Sequence, residues 1–377
     1  MPTTTELKIA VCGDIHLGHA RTPTSLIINN LKQYFLNPVV LDGVKLLVFE
    51  GDVFENLLDL PDLCVGDIQE FAAYCVRLAA QMNIVFLVLE GTPLHDRKQS
   101  RIFVQQNERL REMGYKPAEL YYVETLSILR VESLGLDILC VPDECNHTTQ
   151  ETQTQVDALL KSKGLTQVDY AVMHGCFRYQ VPQISKDHIK FDEDFFLERV
   201  KYLIFIGHIH QASRYERILA SGGYDRLCHG DEVVKGGLLC TVRPDGTWTA
   251  RTIENKGAMT YKTVTCMDAD LEDSFTRLQK AVKNLRLGSF VQIESEGKHP
   301  ILQAQAAVQQ RWPDFKWSFV NRQKPQKNVA SIQQPKKYQP LIINRDTLQT
   351  LCRERLSRSQ TDSAVMALAL SKLEELM

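Results

Sequence analysis

Six short apolar runs, at residues 7–12, 46–50, 84–89, 136–141, 170–174 and 203–207, are continuous rather than alternating. Strands of this kind are covered on both faces, and residues 67–82 and 102–113 between them have helical periodicity. The combination predicts a layered α/β domain reaching to about residue 255. Most of the runs lead into the same few polar residue types: Gly13-Asp14-Ile15-His16, Gly51-Asp52, His95-Asp96, His174-Gly175 and Gly207-His208-Ile209-His210. In open α/β sheets the ligand-binding groups gather beyond the carboxyl ends of the strands, so one cleft would collect five histidines and three aspartates. Mixed imidazole and carboxylate donors suit a pair of divalent cations such as manganese, iron or zinc, and the task such a pair serves is hydrolysis of a phosphate ester.

Each piece alone is weak. Asp14-x-His16 by itself is an ordinary polar turn, and Gly51-Asp52 after a strand is common. A carboxylate at Asp52 nevertheless has two oxygens, enough to bridge cations about 3.5–4 Å apart. His208 and His210 carry more weight, because two histidines exposed at a strand end have little packing purpose, and Gly207 permits the backbone to turn both inward. His174 alone reads as a core histidine. His19, His147, His188, His229 and His299 lie outside the pattern and are read as surface or loop residues.

Composition narrows the setting. With 44 Lys and Arg against 46 Asp and Glu, a formal charge of −2, the chain has no overall positive field, so any polyanion must be held locally. Ten scattered cysteines without a Cys-x-x-Cys pair read as reduced thiols in a cytoplasmic protein. The first residues lack a basic segment followed by an apolar core, and no run is long enough to span a bilayer, so neither secretion nor membrane insertion is expected.

Past Gly257 the pattern changes. Residues 261–266, 290–294 and 316–320 read as strands separated by helices near 271–285 and 301–311, a β-α-β-α-β unit. A Gln/Lys/Pro-rich stretch at 321–340 is too polar to hold a core and reads as a linker. Helical pattern returns from Arg345, with Val365, Met366, Leu368, Ala369, Leu373 and Leu376 on an apolar stripe. The expected organisation is a catalytic domain at 1–257, a small α+β domain at 258–322, a linker at 323–344 and a helical segment at 345–377.

The ordered set Asp-x-His, Gly-Asp, His-Asp, a lone His and Gly-His-x-His resembles the calcineurin-like metallophosphoesterase superfamily over roughly the first 210 residues. Ala220-Ser221-Gly222-Gly223, followed by Lys235-Gly236-Gly237 and an apolar strand, is similar to the SbcD-type nuclease subunits of double-strand-break repair, and a phage-type variant fits the same pattern. The resemblance implies an α/β metallophosphoesterase sandwich of sheets flanked by helices, a small DNA-capping domain and C-terminal helices that dock on an SbcC-type ATPase. It implies two divalent ions, foremost Mn2+ with Fe2+, Zn2+ and Mg2+ as alternatives. Asp14, His16 and His210 would hold one ion, His174 and His208 the other, and Asp52 would bridge them. His95 would be the general acid, with Asp96 orienting its ring. The family pattern has Gly-Asn-His where this chain reads Gly91-Thr92-Pro93-Leu94-His95, so Thr92, a poorer donor, stands where an amide ligand is expected.

Arg311, Lys316, Arg322 and Lys324 are interleaved with Trp312, Phe315, Trp317 and Phe319, a mixture that can neutralise phosphates and stack on frayed bases. The same aromatics also read as the core of a strand. The expected activity is therefore metal-dependent exonuclease and endonuclease cleavage of DNA, with the ATPase, in a bacterial or infected-host cytoplasm; a homodimer is compatible with it. A stand-alone phosphoesterase for small nucleotides or phosphoproteins, and a non-catalytic DNA- or ATPase-binding scaffold, are the alternatives.

Overall fold

A computed structural model of the chain describes residues 6–59, 62–143, 148–181 and 190–322. The linker at 323–344, the helical segment at 345–377, Lys324, His147 and His188 lie outside the described residues. All described residues belong to the unit Met1–Arg322.

The first strands are β1 (Leu7–Cys12), β2 (Val44–Phe49), β3 (Val85–Leu89) and β4 (Leu120–Val123). They are followed by β5 (Ser127–Val131), β6 (Leu136–Val141), β7 (Tyr170–His174) and a short parallel pair, β8 (Cys176–Phe177) and β9 (Lys190–Phe191). Then come β10 (Ile204–Gly207), β11 (Ser213–Tyr215), β12 (Ile218–Ala220), β13 (Gly236–Val242) and β14 (Trp248–Glu254). They form two six-stranded mixed sheets, ordered β14-β13-β1-β2-β3-β4 and β11-β12-β10-β7-β6-β5. Strands β1 to β4 are parallel, as are β6, β7, β10 and β12; β13, β14, β5 and β11 run antiparallel to their neighbours.

The side-chain period of a strand explains the layering. Ile9 and Val11 of β1 meet Ile138, Cys140, Val172 and Phe205 of the other sheet in one buried core. Their neighbours Ala10 and Cys12 turn the opposite way, onto α1 (Thr24–Asn30), α2 (Val65–Met82) and α3 (Arg101–Glu112). In the second sheet Leu139, Val141, Met173 and Ile206 face α4 (Thr149–Ser162) and α5 (Glu193–Arg199). The described residues before Gly257 are thus layered helices, sheet, sheet, helices, and the central strands β1, β2, β3, β7 and β10 are buried on both faces as their unbroken apolar runs require. Helix starts follow local chemistry: Thr148 and Glu151 form a capping box on α4, and Asp192 accepts the Phe195 amide of α5.

Beyond Gly257 lie β15 (Tyr261–Thr265), α6 (Leu271–Val282), β16 (Phe290–Ser295), α7 (Pro300–Gln303), α8 (Gln305–Arg311) and β17 (Lys316–Asn321). The helix expected at 301–311 is two pieces, broken where Ala304 leaves helical geometry with ψ 20°. The three strands are parallel, and their core of Val264, Leu278, Val291, Ile293, Ile301 and Val308 is flanked by Trp312, Phe315, Trp317 and Phe319. The aromatics between 312 and 319 therefore help build this core. Tyr261 stacks on Phe290 (centroids 4.7 Å apart) and its hydroxyl lies 3.2 Å from Thr22 Oγ1, joining the small sheet to the segment after β1.

Candidate metal centre

The segments that leave β1, β2, β3, β7 and β10 converge at the carboxyl edge of both sheets. Asp14 and His16 follow β1; the Ile15 and His16 amides both donate to the Asp52 carbonyl, locking the loop after β1 onto the loop after β2. Two glycines make the approach possible. A Cβ at Gly51, where φ is +95°, would lie 2.3 Å from His174 Nδ1, and one at Gly91 would lie 2.1 Å from the Asp52 amide.

Two donor groups result, Asp14–His16–His210 and Asp52–His174–His208. In the first, His16 Nε2 and His210 Nε2 are 3.0 Å apart, a separation of two ring nitrogens that a shared cation satisfies. Both Asp14 oxygens accept the His208 amide, at 2.9 and 3.1 Å, so this carboxylate also fixes the loop carrying the other two histidines. In the second, Asp52 Oδ1 is 3.3 Å from His174 Nε2, while Oδ2 is 4.0 Å from His16 Nε2, so one carboxylate touches both groups. His174 Nδ1 donates to the Glu50 carbonyl at 2.8 Å, which leaves Nε2 as the nitrogen that could face an ion. The Thr92 hydroxyl is 3.2 Å from Asp52 Oδ2 and 3.4 Å from both His174 Nε2 and His208 Nδ1. It stands among the second set of donors.

Electrostatics match this geometry. Burial disfavours the Asp52 charge, yet His174 and His16 hold its carboxyl well below the usual range. Burial would lower His174, but the Asp52 carboxylate overrides it and lifts the ring to about 10, so the pocket favours a positive charge there. Burial, with His16 and Lys235 nearby, drops His210 to about 3 and keeps its lone pair available. The backbone is strained at the same places: Asp14, His16, Asp52 and His208 have φ of 47°, 55°, 49° and 102°.

No protein-family model and no curated protein matches the chain. Among the solved structures that match, one aligns with 66% of this chain and 99% of its own length, at 11% identity and a TM-score of 0.39. A likeness that loose carries no argument about fold or function, and the donor geometry stands by itself.

The structure corrects one expected role. Asp96 does not orient His95; its two oxygens accept the Phe54 amide at 2.8 Å and the Gly91 amide at 2.7 Å, and the residue is wholly buried. It is a brace between the loops after β2 and β3. His95 is oriented instead by the Glu55 carbonyl, 2.6 Å from Nδ1, with its ring edge-on to His16 at 5.1 Å.

Sequence reasoning missed several neighbours. Glu55 Oε2 lies 2.8 Å from His16 Nδ1, an ion-pair contact rather than an in-line hydrogen bond, and Glu55, His16 and His95 form a third donor group. Its position three residues after Asp52 was the available signal. Glu50 is fully buried behind the centre, where burial pushes its carboxyl up to about 8 despite a hydrogen bond from the Ser221 hydroxyl. Lys235, itself buried, donates to the His210 carbonyl at 2.6 Å and pairs with Asp231. Asp143, just past β6, lies in the field of His174 and Asp52.

Of the basic residues expected to touch nucleic acid, the described ones, Arg311, Lys316 and Arg322, are engaged within the small sheet unit. Arg311 lies over Phe275 and Trp312, Lys316 over Phe290 at 4.5 Å, and Arg322 donates to Glu294 at 2.6 Å. Outside the centre, His19 accepts the Arg21 and Thr22 amides and His299 caps α7, the loop roles expected of them. Cys12, Cys64, Cys75, Cys140, Cys228, Cys240 and Cys266 are free thiols, and no described helix is long and apolar enough to cross a membrane.

Proposed function

We propose that this chain is a two-metal phosphodiesterase of the metallophosphoesterase type that hydrolyses DNA, as the resemblance to SbcD-type nucleases implies. The observation that carries the reading is the pair of buried donor groups sharing Asp52, with His95 at the rim of the first. Asp14, His16 and His210 would hold one ion, and His174, His208 and the Thr92 hydroxyl the other. Bound divalent ions supply charge neutralisation on the phosphate and a water of lowered pKa, with Mn2+ the first choice for this donor set. Asp52 orients both groups at once. His174 is kept in one tautomer by the Glu50 carbonyl, and Asp14 ties the His208 loop in place. His95, its Nδ1 engaged by the Glu55 carbonyl, has Nε2 left to give a proton to the leaving oxygen.

The test is turnover of linear duplex and single-stranded DNA with and without Mn2+, beside Asp14→Ala and His208→Ala. Cleavage should need the metal, and both variants should lose it while keeping their far-UV circular dichroism. Cleavage in a chelator, or full activity in either variant, would sink the reading. Turnover confined to small phosphate esters would favour a stand-alone phosphoesterase.

A further inference from the structure

Two segments that leave the metal centre carry aromatic rings to a common place. The chain past His174 enters β8 and brings Phe177 and Tyr179; the chain past His210 enters β11 and brings Ser213 and Tyr215. The three rings make one stack. Phe177 and Tyr179 have centroids 6.3 Å apart at an interplanar angle of 23°, and Tyr179 and Tyr215 are 5.2 Å apart at 23°. Burial falls along it: Phe177 is 0% exposed, Tyr179 is half-buried and Tyr215 is 38% exposed.

The middle ring is fixed. Its hydroxyl lies 3.1 Å from Ser213 Oγ, and the Tyr179 amide donates to Glu193 Oε1 at 2.7 Å. Strand periodicity puts Ser213 and Tyr215 on one face of β11 and Arg214 on the other, where its guanidinium lies 4.3 Å from the Trp248 ring centroid. Strand β11 is the edge of its sheet, and Ser213 pairs with Ala220 beside Ser221, whose hydroxyl meets Glu50 under the centre. Tyr215 is two residues farther out, about 7 Å along the strand. An aromatic stack rooted in the core and ending on an exposed ring near a phosphodiester site matches what a nucleobase requires: a flat apolar face that any base can extend.

We propose that this stack is a nucleobase platform, on which an unpaired base packs against Tyr215 when a neighbouring phosphate of its strand lies at the metal centre. Paired bases are already stacked inside their duplex, so the platform selects unpaired nucleotides, such as those of a frayed end, over intact duplex. The proposal rests on the phosphodiesterase reading for its biological sense, but its test needs no turnover.

Equilibrium binding in Mn2+ of a labelled, nuclease-resistant phosphorothioate oligothymidylate, against an abasic phosphorothioate strand of equal length and charge, tests it. Wild type should prefer the base-bearing strand by about 5- to 100-fold, the span of one stacking contact. Tyr215→Ala should lose most of that preference and Tyr215→Phe should keep it, while all three hydrolyse bis(p-nitrophenyl) phosphate equally in Mn2+. Equal binding of the two strands by wild type, no affinity for either, or a preference undiminished in Tyr215→Ala overturns the platform. Inertness of wild type toward the small ester, with the base preference intact, would overturn the hydrolytic reading and leave the platform standing.

Discussion

Asp14, His16, Asp52 and His208 hold backbone angles that cost an L-residue roughly 1–3 kcal/mol each, and no packing need explains why four polar residues should bear that cost together. The strain is what turns their side chains back from the strand ends into one space. His95 differs, because it is placed by a hydrogen bond to the Glu55 carbonyl rather than by its own backbone angle. His95→Asn should therefore slow turnover by roughly two to four orders of magnitude, the usual contribution of a general acid, with metal occupancy nearly unchanged by calorimetry. A rate equal to wild type would show that the proton comes from elsewhere. The Thr92 position is explained the same way. The backbone of this loop keeps its hydroxyl among Asp52, His174 and His208, helped by its own amide, which donates to Asp52 Oδ1 at 2.6 Å.

At the scale of the elements, the segment after β12 is held by one buried carboxylate. Asp225 accepts from Asn30 Nδ2, Asn255 Nδ2 and the Arg226 and Met259 amides, at 2.7–3.1 Å. It thereby links α1, the chain after β14 and the start of the small sheet unit. Asp225→Ala leaves four donors without their acceptor and should destabilise the protein by at least about 3 kcal/mol, read as a lower urea midpoint. An unchanged midpoint would mean that water replaces the carboxylate at no cost. Nothing in the sequence marked Asp225, since its partners beyond Arg226 lie far away in the chain, at Asn30 and at residues 255–259. The long buried strands were legible because unbroken runs such as 7–12 and 170–174 have only one stable setting. Strands β4, β5, β11 and β14 were not: they are short or half-exposed, and their polar residues hide the period. The six strand-end donors that the fold gathers were legible from order and residue type, whereas Glu55, Glu50 and Asp143 join them through contacts that only the folded chain creates.

At the scale of the whole molecule, the Asp14–His16–His210 and Asp52–His174–His208 groups each draw on both sheets. The first takes Asp14 and His16 from the loop after β1 and His210 from the loop after β10; the second takes Asp52 from the first sheet and His174 and His208 from the other. Ions bound there should stabilise the native fold by linkage, about 2.7 kcal/mol for each site at a hundredfold excess over Kd. Thermal scans should accordingly show a midpoint that climbs with Mn2+ concentration in wild type and far less in Asp52→Ala. A midpoint indifferent to metal would count against both sites. His16 and His210, which close to 3.0 Å, are 194 residues apart in the chain, and His174 reaches the Glu50 carbonyl across 124. Neither of these two groups is complete from one sheet, and contacts this distant in sequence form slowly. On the two-metal reading, capture of metal would be a late event in assembly that only a chain with both sheets correctly docked could complete, so a misfolded copy would hold neither ion.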